Sequence, residues 1–167
     1  KAIRVAAMDK TGTLTEGNFA VRTVKSLDSD WSDDRVLETM AALERESSHP
    51  LAAGILESAR SRNLTVPLAS NVKTMGGTGL SGVVDGRKVE IVTAAYLDSK
   101  RLPYSENEFS ELSRQGNSIS YLLADEKVVG LVAEGDEIKP EARKTVEALR
   151  SRGIEPVMLT GDNEGFA

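Results

Sequence analysis

The chain has 167 residues, of which 40% are hydrophobic and 28% charged, and these values suit one or two small globular domains. Its net charge of −5 disfavours a surface for nucleic acid or anionic membrane, and the absence of cysteine excludes disulfides and thiolate metal sites. A single histidine disfavours a structural zinc site, and no apolar run approaches the roughly 20 residues that a membrane-spanning helix needs.

The first third of the chain predicts two strands and two helices. An apolar run, Ile3–Met8, reads as a short buried strand, and Asp9 follows it at the start of a loop of threonine and glycine. A looser alternation predicts a second strand over Ala20–Leu27. Ser32 then begins a helix with acidic residues in its first turn, and Pro50 begins another helix.

The middle of the chain has the pattern of an antiparallel sheet. Two hairpins are predicted, because apolar segments flank the turn residues Asp85-Gly86 and Asp125-Glu126. The predicted strands and the one helix of this block cover Leu68–Met75, Leu80–Val84, Lys88–Val92, Tyr104–Arg114, Ser118–Ala124 and Lys127–Ala133. This part of the chain therefore predicts an α+β domain.

The end of the chain returns to an α/β pattern. Pro140 begins a helix that Gly153 closes, and Ile154–Leu159 is a strand with Thr160 directly after it. In open α/β sheets ligands bind outside the carboxyl ends of the strands. We therefore expect the strands that end at Asp9 and at Thr160 to lie side by side and parallel.

The motif DKTGTLT, Asp9–Thr15, carries the chemistry. Backbone N–H groups of small residues can surround an anion, Lys10 adds a positive charge, and an aspartate so placed can attack phosphorus. The motif resembles the phosphorylation signature of P-type ATPases, the ion pumps of membranes. The resemblance implies that ATP phosphorylates Asp9, that Lys10 and Thr11 are catalytic, and that Mg²⁺ binds the Asp9 carboxylate and the Thr11 backbone carbonyl.

Two further motifs stand where that family has them. The segment MLTGDN, Met158–Asn163, resembles the one whose threonine and following N–H hold the phosphoryl oxygens, which implies binding roles for Thr160, Gly161 and Asp162. The segment DEIKP, Asp136–Pro140, resembles the D-x-x-K/R-P hinge between the nucleotide and phosphorylation domains.

The inserted block carries two motifs that resemble those of the heavy-metal-transporting class. The pattern E-x-x-x-x-H-P supplies Glu44 and His49, which line the adenine pocket in that class. The pattern G-x-G-x-x-G supplies Gly77 and Gly79, where the backbone approaches the nucleotide. Many members carry a Gly-Asn pair where this chain has Thr93-Ala94, so the third wall of the pocket stays undefined.

Taken together, the motifs imply an α+β nucleotide-binding domain, an antiparallel sheet with helices, inserted into a partial α/β haloacid-dehalogenase-like phosphorylation domain. Residues 18–132 form the insert, because a segment of that length is a domain and not a loop, and residues 1–17 and 133–167 form the partial domain. The family's later lysine and G-D-G-x-N-D segment are absent from the chain, so we expect no turnover of ATP by this chain alone.

The resemblance also implies the setting. ATP or ADP and Mg²⁺ are the expected ligands, and the actuator and transmembrane helices of a pump are the expected partners, without nucleic acid. The chain would be a cytoplasmic domain of an integral membrane protein of the heavy-metal class. The transported ion, copper or another, stays open because membrane helices select it.

Two other functions fit some of these residues. A haloacid-dehalogenase-type phosphatase with a large cap shares the aspartate-led core. It commonly has a second aspartate, a general acid and base, where this chain has Thr11. A non-catalytic nucleotide-binding module is the other alternative. On the residues alone, His49 can also be a plain cap of the helix that Pro50 begins.

Overall fold

A computed structural model describes residues 2–159, with the backbone alone for Thr11, Gly12 and Leu159, so Thr160, Gly161 and Asp162 lie outside the described residues. Within this range the strands are β1 Val5–Asp9, β2 Thr15–Ser26, β3 Ala69–Thr74, β4 Gly79–Val84, β5 Arg87–Val92, β6 Asn117–Ala124, β7 Lys127–Ile138 and β8 Glu155–Leu159. The helices are α1 Asp33–Glu44, α2 Pro50–Ser61, α3 Ala94–Lys100, α4 Glu106–Arg114 and α5 Pro140–Ser151.

The strands form two sheets. Strands β1 and β8 pair in parallel, with Asp9 opposite Leu159. The other six form an antiparallel sheet in the order β2-β7-β6-β5-β4-β3. Both the predicted antiparallel sheet and the predicted parallel pairing of the terminal strands are confirmed.

Helices cover both faces of the six-stranded sheet. Helices α1 and α2 pack on one face and α3 and α4 on the other, each over its own apolar core. Because side chains alternate along a strand, Leu122 enters the first core while Tyr121 and Leu123 enter the second. Helix α1 is the centre of the first core, since Leu37 and Met40 are fully buried, and each such side chain contributes about 1.5–3 kcal/mol.

Local sequence signals set most helix starts. The Ser32 hydroxyl accepts from the Arg35 amide at 3.1 Å and caps α1 as predicted. Helix α3 was not predicted, because its seven residues are short and follow directly on the apolar run of β5. Thr93 caps it by accepting from the Tyr96 amide at 3.3 Å.

The terminal elements β1, β8 and α5 have little core of their own. The side chains of Ile3, Val5 and Val157 are 73%, 53% and 40% exposed, and Ala142 is the one buried residue of α5. No helix among residues 2–159 has the length and apolar character needed to cross a membrane.

Hydrogen exchange should separate these two regions. We expect the amides of Ala6 and Ala7 in β1 to exchange roughly a hundredfold faster than those of Val129 and Leu131 in β7. The physical reason is that β1 belongs to a two-stranded, exposed sheet, whereas β7 is paired on both sides and buried. Exchange followed by NMR or mass spectrometry on the monomer checks this, and equal protection in both strands would contradict it.

Candidate functional site

Asp9 ends β1, and its side chain is exposed. The chain then makes a single wide π-helical turn, Lys10–Leu14, before β2 begins. An aspartate at such a position ordinarily caps the following turn. Here the Asp9 carboxylate makes no capping hydrogen bond to the amides of the following turn.

The end of DKTGTLT is tied to the D-x-x-K-P segment. The buried Thr15 hydroxyl donates to Asp136 Oδ2 at 2.5 Å, and the Lys139 amide donates to the Leu14 carbonyl at 3.0 Å. A hydrogen bond to a carboxylate is about twice as strong as a neutral one. The structure thus joins two segments that the sequence connected only by resemblance, through Thr15, which sequence reasoning had not singled out.

A cavity of about 310 Å³ lies beside this junction. It is lined by the cationic side chains of Lys10, Arg143 and Arg150 and by the acidic Glu147, together with Thr15 and several apolar residues. A larger cavity of about 470 Å³ lies between the α3–α4 loop and the β6–β7 hairpin and includes none of the predicted site residues.

Short hydrogen bonds shape the loop between α1 and α2. The Ser47 amide donates to the Glu44 carbonyl at 2.9 Å, and the His49 amide donates to Ser47 Oγ at 3.2 Å. The Leu51 amide donates to His49 Nδ1 at 3.3 Å, so His49 is the N-cap of α2. Because Nδ1 accepts a hydrogen bond, the neutral ring carries its proton on Nε2. The ring is therefore oriented by the helix while it stays exposed.

Glu44 ends α1 and is buried, with 6% of its surface exposed. Its Oε2 atom is buried without a hydrogen-bond partner. Burial raises the pKa of this carboxyl, while a hydrogen bond from Ser47 and the nearby His49 oppose that shift. A buried carboxyl at the end of the motif loop is suited to accept a hydrogen bond from a ligand.

A second buried carboxyl is Glu134 of β7, which lies within electrostatic range of Glu44. Both of its oxygen atoms are buried without a partner, and 1% of the residue is exposed. Burial raises the pKa of Glu134 to about 8, and the Glu44 carboxylate adds to the shift. Sequence reasoning missed Glu134. Alternation along β7 could have indicated its burial. Gly130 and Val132 lie on the face of the sheet that α1 and α2 cover, and Glu134, two residues after Val132, points to the same face.

The glycine loop is a tight hairpin turn between β3 and β4. Gly76 and Gly77 have φ of +52° and +82°, and the Thr78 amide donates to the Met75 carbonyl at 3.0 Å. Gly79 begins β4 at φ +151°, and a Cβ at this position would overlap the Ile91 carbonyl oxygen. Glycine is therefore required at position 79 by the packing of β4 on β5 as well as by the backbone angle.

The end of α1 packs on β4, the strand that follows the glycine hairpin. The Leu43 Cδ2 atom is 2.7 Å from the position that a Gly82 Cβ would take, so the end of α1 packs on β4. Glu44 follows Leu43, and Gly79 begins the same strand. Gly79 pairs with Val92, so Thr93, which caps α3, follows directly beside the loop.

Three predicted phosphate-binding residues and the predicted metal site concern the end of β8 and the end of β1. Thr160, Gly161 and Asp162 lie outside the described residues, although Leu159, which precedes them, pairs with Asp9. Among the described residues, no three histidine, aspartate or glutamate side chains group as a metal site.

Comparison with known proteins gives consistent likenesses. The model of the haloacid dehalogenase-like hydrolase family matches residues 3–167. A probable copper-transporting P-type ATPase B of Staphylococcus aureus is 46% identical over 160 residues, which are 96% of this chain and 24% of the relative. The chain thus spans about a quarter of the length of that relative.

Solved structures of P-type ATPases are similar to this chain as well. A zinc-transporting PIB-type ATPase in its E2.Pi state matches with a TM-score of 0.80 at 29% identity, over 98% of this chain and 26% of that one. The N-domain of a copper-transporting P-type ATPase matches with a TM-score of 0.55 at 28% identity, over 68% of this chain and 98% of that one.

The two glycines of the hairpin should respond differently to alanine. Gly79→Ala should destabilise the fold by about 3 kcal/mol, because its Cβ would force β4 away from β5. In Gly77→Ala the new methyl group would point into open space. The free energy of unfolding should therefore fall by only about 1 kcal/mol, the cost of a left-handed backbone angle in alanine. Urea unfolding of both variants checks this, and equal losses of stability would contradict it.

Removing the Glu134 carboxyl should flatten the pH dependence of stability. Its pKa is raised from 4.5 to about 8 in the folded chain, so its stabilisation is full below 4.5 and is lost progressively as pH rises to about 8. Between about pH 6 and 9 the wild type should lose about 1–3 kcal/mol of unfolding free energy through this group, and Glu134→Gln should not.

The matched control is Glu90→Gln. Glu90 is also buried, but it lies 3.7 Å from Lys88 and alternates away from the face that holds Val89 and Ile91. Urea unfolding at both pH values should show Glu90→Gln following the wild type. A wild-type slope that persists in Glu134→Gln would contradict the assignment.

Proposed function

The chain belongs to the haloacid dehalogenase-like hydrolase family, and we propose that it is the nucleotide-binding domain and part of the phosphorylation domain of a P-type cation pump of the heavy-metal class. One observation carries the proposal. The end of DKTGTLT is hydrogen-bonded to the D-x-x-K-P segment through Thr15 and Asp136, and the domain between these segments carries Glu44 and the helix cap His49 around the α1–α2 loop and Gly77 and Gly79 at the β3–β4 hairpin.

Residues 18–132 form the nucleotide-binding domain in this proposal, and residues 1–17 and 133–167 belong to the phosphorylation domain. The N-domain that matches 68% of this chain over 98% of its own length supports this division. The boundary between the two domains falls within the paired strands β2 and β7, where Phe19 lies opposite Asp136.

The nucleotide is ATP or ADP, and its adenine lies between the His49 ring and the glycine hairpin. The exposed ring, held by its cap to α2, is a flat surface for the base. The Glu44 carboxylate accepts from the adenine amino group, and the backbone at Gly77 and Gly79 lets the nucleotide approach closely. Gly77 has nothing within 4 Å of a Cβ position, which agrees with an open approach.

In the intact pump, phosphoryl transfer takes place at Asp9. A carboxylate oxygen of Asp9 attacks the γ-phosphorus of ATP, the bond from that phosphorus to the bridging oxygen breaks, and ADP leaves with the electron pair. Lys10 offsets negative charge at the strand end. Thr160, Gly161 and Asp162, which follow the strand paired with β1, hold the phosphoryl oxygens.

Mg²⁺ fits the donors at this strand end. The Asp9 carboxylate, exposed and unused by the following turn, and the Thr11 backbone carbonyl are oxygen ligands of the kind that Mg²⁺ prefers. When bound, the ion supplies charge neutralisation for the transferred phosphoryl group.

The residue two positions after the nucleophile favours a pump over a phosphatase. Thr11 cannot hold and release a proton near pH 7 as an aspartate can, so hydrolysis of the aspartyl phosphate lacks that general base. A phosphoenzyme that persists can drive a conformational change in the remaining pump domains, the actuator and the transmembrane helices. The chain would then be a cytoplasmic domain of an integral membrane protein, and the proteins it resembles are named as transporters of copper and of zinc.

ADP titration of the 167-residue chain tests the pocket. We expect Glu44→Gln and His49→Ala each to weaken binding about tenfold, as for the loss of one hydrogen bond or stacking contact. Amide NMR shifts should centre on the α1–α2 loop and the β3–β4 hairpin. The matched control is Glu46→Gln, an exposed carboxylate in the same loop, which should bind as the wild type does. Shifts confined to other regions, with all variants binding alike, would refute the pocket.

A further inference from the structure

We propose that Val72 of β3 is an apolar wall of the nucleotide site, a surface on which the adenine ring packs between the end of α1 and the glycine hairpin. This inference rests on the proposed function, because it requires a nucleotide in this domain. It adds a residue that belongs to none of the motifs that the sequence offered for nucleotide binding.

The first support is a β-bulge that directs the Val72 side chain. The pairing of β3 with β4 shifts between Ser70 and Lys73, so that Asn71 and Val72 together lie opposite the single residue Gly82. Asn71 has a φ of +52°, in the left-handed region. Without the extra residue, alternation would turn Val72 to the other face of the sheet. Bulges often re-aim a side chain beside an active site, and this one turns Val72 to the face that α1 covers.

The second support is the contact of Val72 with the end of α1. The position that a Gly82 Cβ would take lies 3.2 Å from Val72 Cγ2 and 2.7 Å from Leu43 Cδ2, so both side chains lie over the same glycine. Helix α1 accordingly lies against β3 as well as β4. Leu43 directly precedes Glu44, the proposed acceptor of the adenine amino group. Val72 therefore lies beside the end of the helix that carries this carboxylate.

The third support is the continuity of Val72 with the glycine hairpin. Strand β3 runs from Val72 to Thr74 and directly into the hairpin, which the Met75 amide closes by donating to the Gly79 carbonyl at 2.8 Å. Because side chains alternate, Thr74 lies on the same face as Val72. Val72 thus lies on the strand that enters the hairpin, and α1 packs on the strand that leaves it. The two proposed halves of the site meet at this residue.

The exposure of Val72 leaves this surface available to a ligand. Val72 is 39% exposed, whereas the apolar side chains farther along the same face, Val84 and Ile91, are buried in the core under α1. Thr74 is exposed as well, so the face opens towards the hairpin. Covering apolar surface with a bound ring removes it from water, which is favourable. Exposure alone does not single out Val72, since Leu68 just before β3 is 81% exposed, but Leu68 lies before the bulge and outside the strand.

The chemistry of Val72 fits one part of the nucleotide. An isopropyl group neither donates nor accepts a hydrogen bond, so it suits the flat apolar surface of the purine and not the phosphates or the ribose hydroxyls. Glu44 would take the polar edge of the same ring through the amino group. Ligand sites commonly combine apolar walls with a few polar groups that fix orientation, and these two residues divide the roles in that way.

The experiment is NMR of the 167-residue chain with ¹³C-labelled valine methyl groups. Addition of ADP to saturation should shift the Val72 methyl signals and give NOEs between them and the adenine ring protons. Inorganic tripolyphosphate, which has the charge but no base, should leave the Val72 signals unchanged.

A calorimetric titration with ADP measures the effect on affinity. Val72→Thr keeps the β-branched shape but places a hydroxyl against the ring, and it should weaken ADP binding roughly fivefold while the urea unfolding midpoint stays near that of the wild type. The matched control is Leu68→Thr, a similar change of an exposed apolar residue outside the site, which should bind ADP as the wild type does.

The outcomes separate the two proposals. Failure of the wild type to bind ADP would overturn the proposed function and this inference with it. ADP binding that His49→Ala weakens, but without NOEs from adenine to Val72 in the saturated complex, would overturn the inference alone, and so would equal affinities of Val72→Thr and the wild type. The NOEs are measured on the wild type, so they decide the question even where Val72→Thr unfolds.

Discussion

The antiparallel pairing of β2 with β7 is the constraint on which the two parts of the structure depend. It joins residues 121 positions apart, and its register brings the Thr15 hydroxyl to the Asp136 carboxylate. The same register directs Glu134 towards α1 and α2 and places Gly135 against Arg22 on the other face. Since side chains alternate along a strand, a slip of one residue would exchange these faces, bury the arginine side and expose the carboxyl.

Two neighbouring buried carboxyls are a costly feature for a small domain. Elsewhere on the same face the sheet and α1 meet through aliphatic side chains such as Leu43 and Val132, which need no partner. A buried acid without an ion pair contributes less to stability than an apolar residue of similar volume. Groups with shifted pKa values are concentrated at functional sites, and the raised pKa values of Glu44, at the end of α1, and of Glu134, against α2, agree with that pattern.

Much of the fold could be predicted from local chemistry. All four turn residues of the hairpins at Asp85-Gly86 and Asp125-Glu126 have positive φ. An Asp-Gly pair favours this backbone conformation, so the first turn follows directly from its residue types. Element ends were less predictable. Strand β2 begins at Thr15 and not at Ala20, because pairing with β7 extends it beyond the apolar segment. Helix α3 was missed because its apolar residues also continue a strand pattern.

The sequence by itself determined the strand-end aspartate, the glycine hairpin and the capping role open to His49, because each of these depends on neighbours a few positions away. Only the tertiary structure decided which of the 26 acidic residues are buried and what faces them. Glu134 and Glu137 are close in sequence, yet one is buried beneath two helices and the other is exposed. Protonation and pairing depend on the dielectric surroundings and on residues distant in the chain, and no local pattern records these.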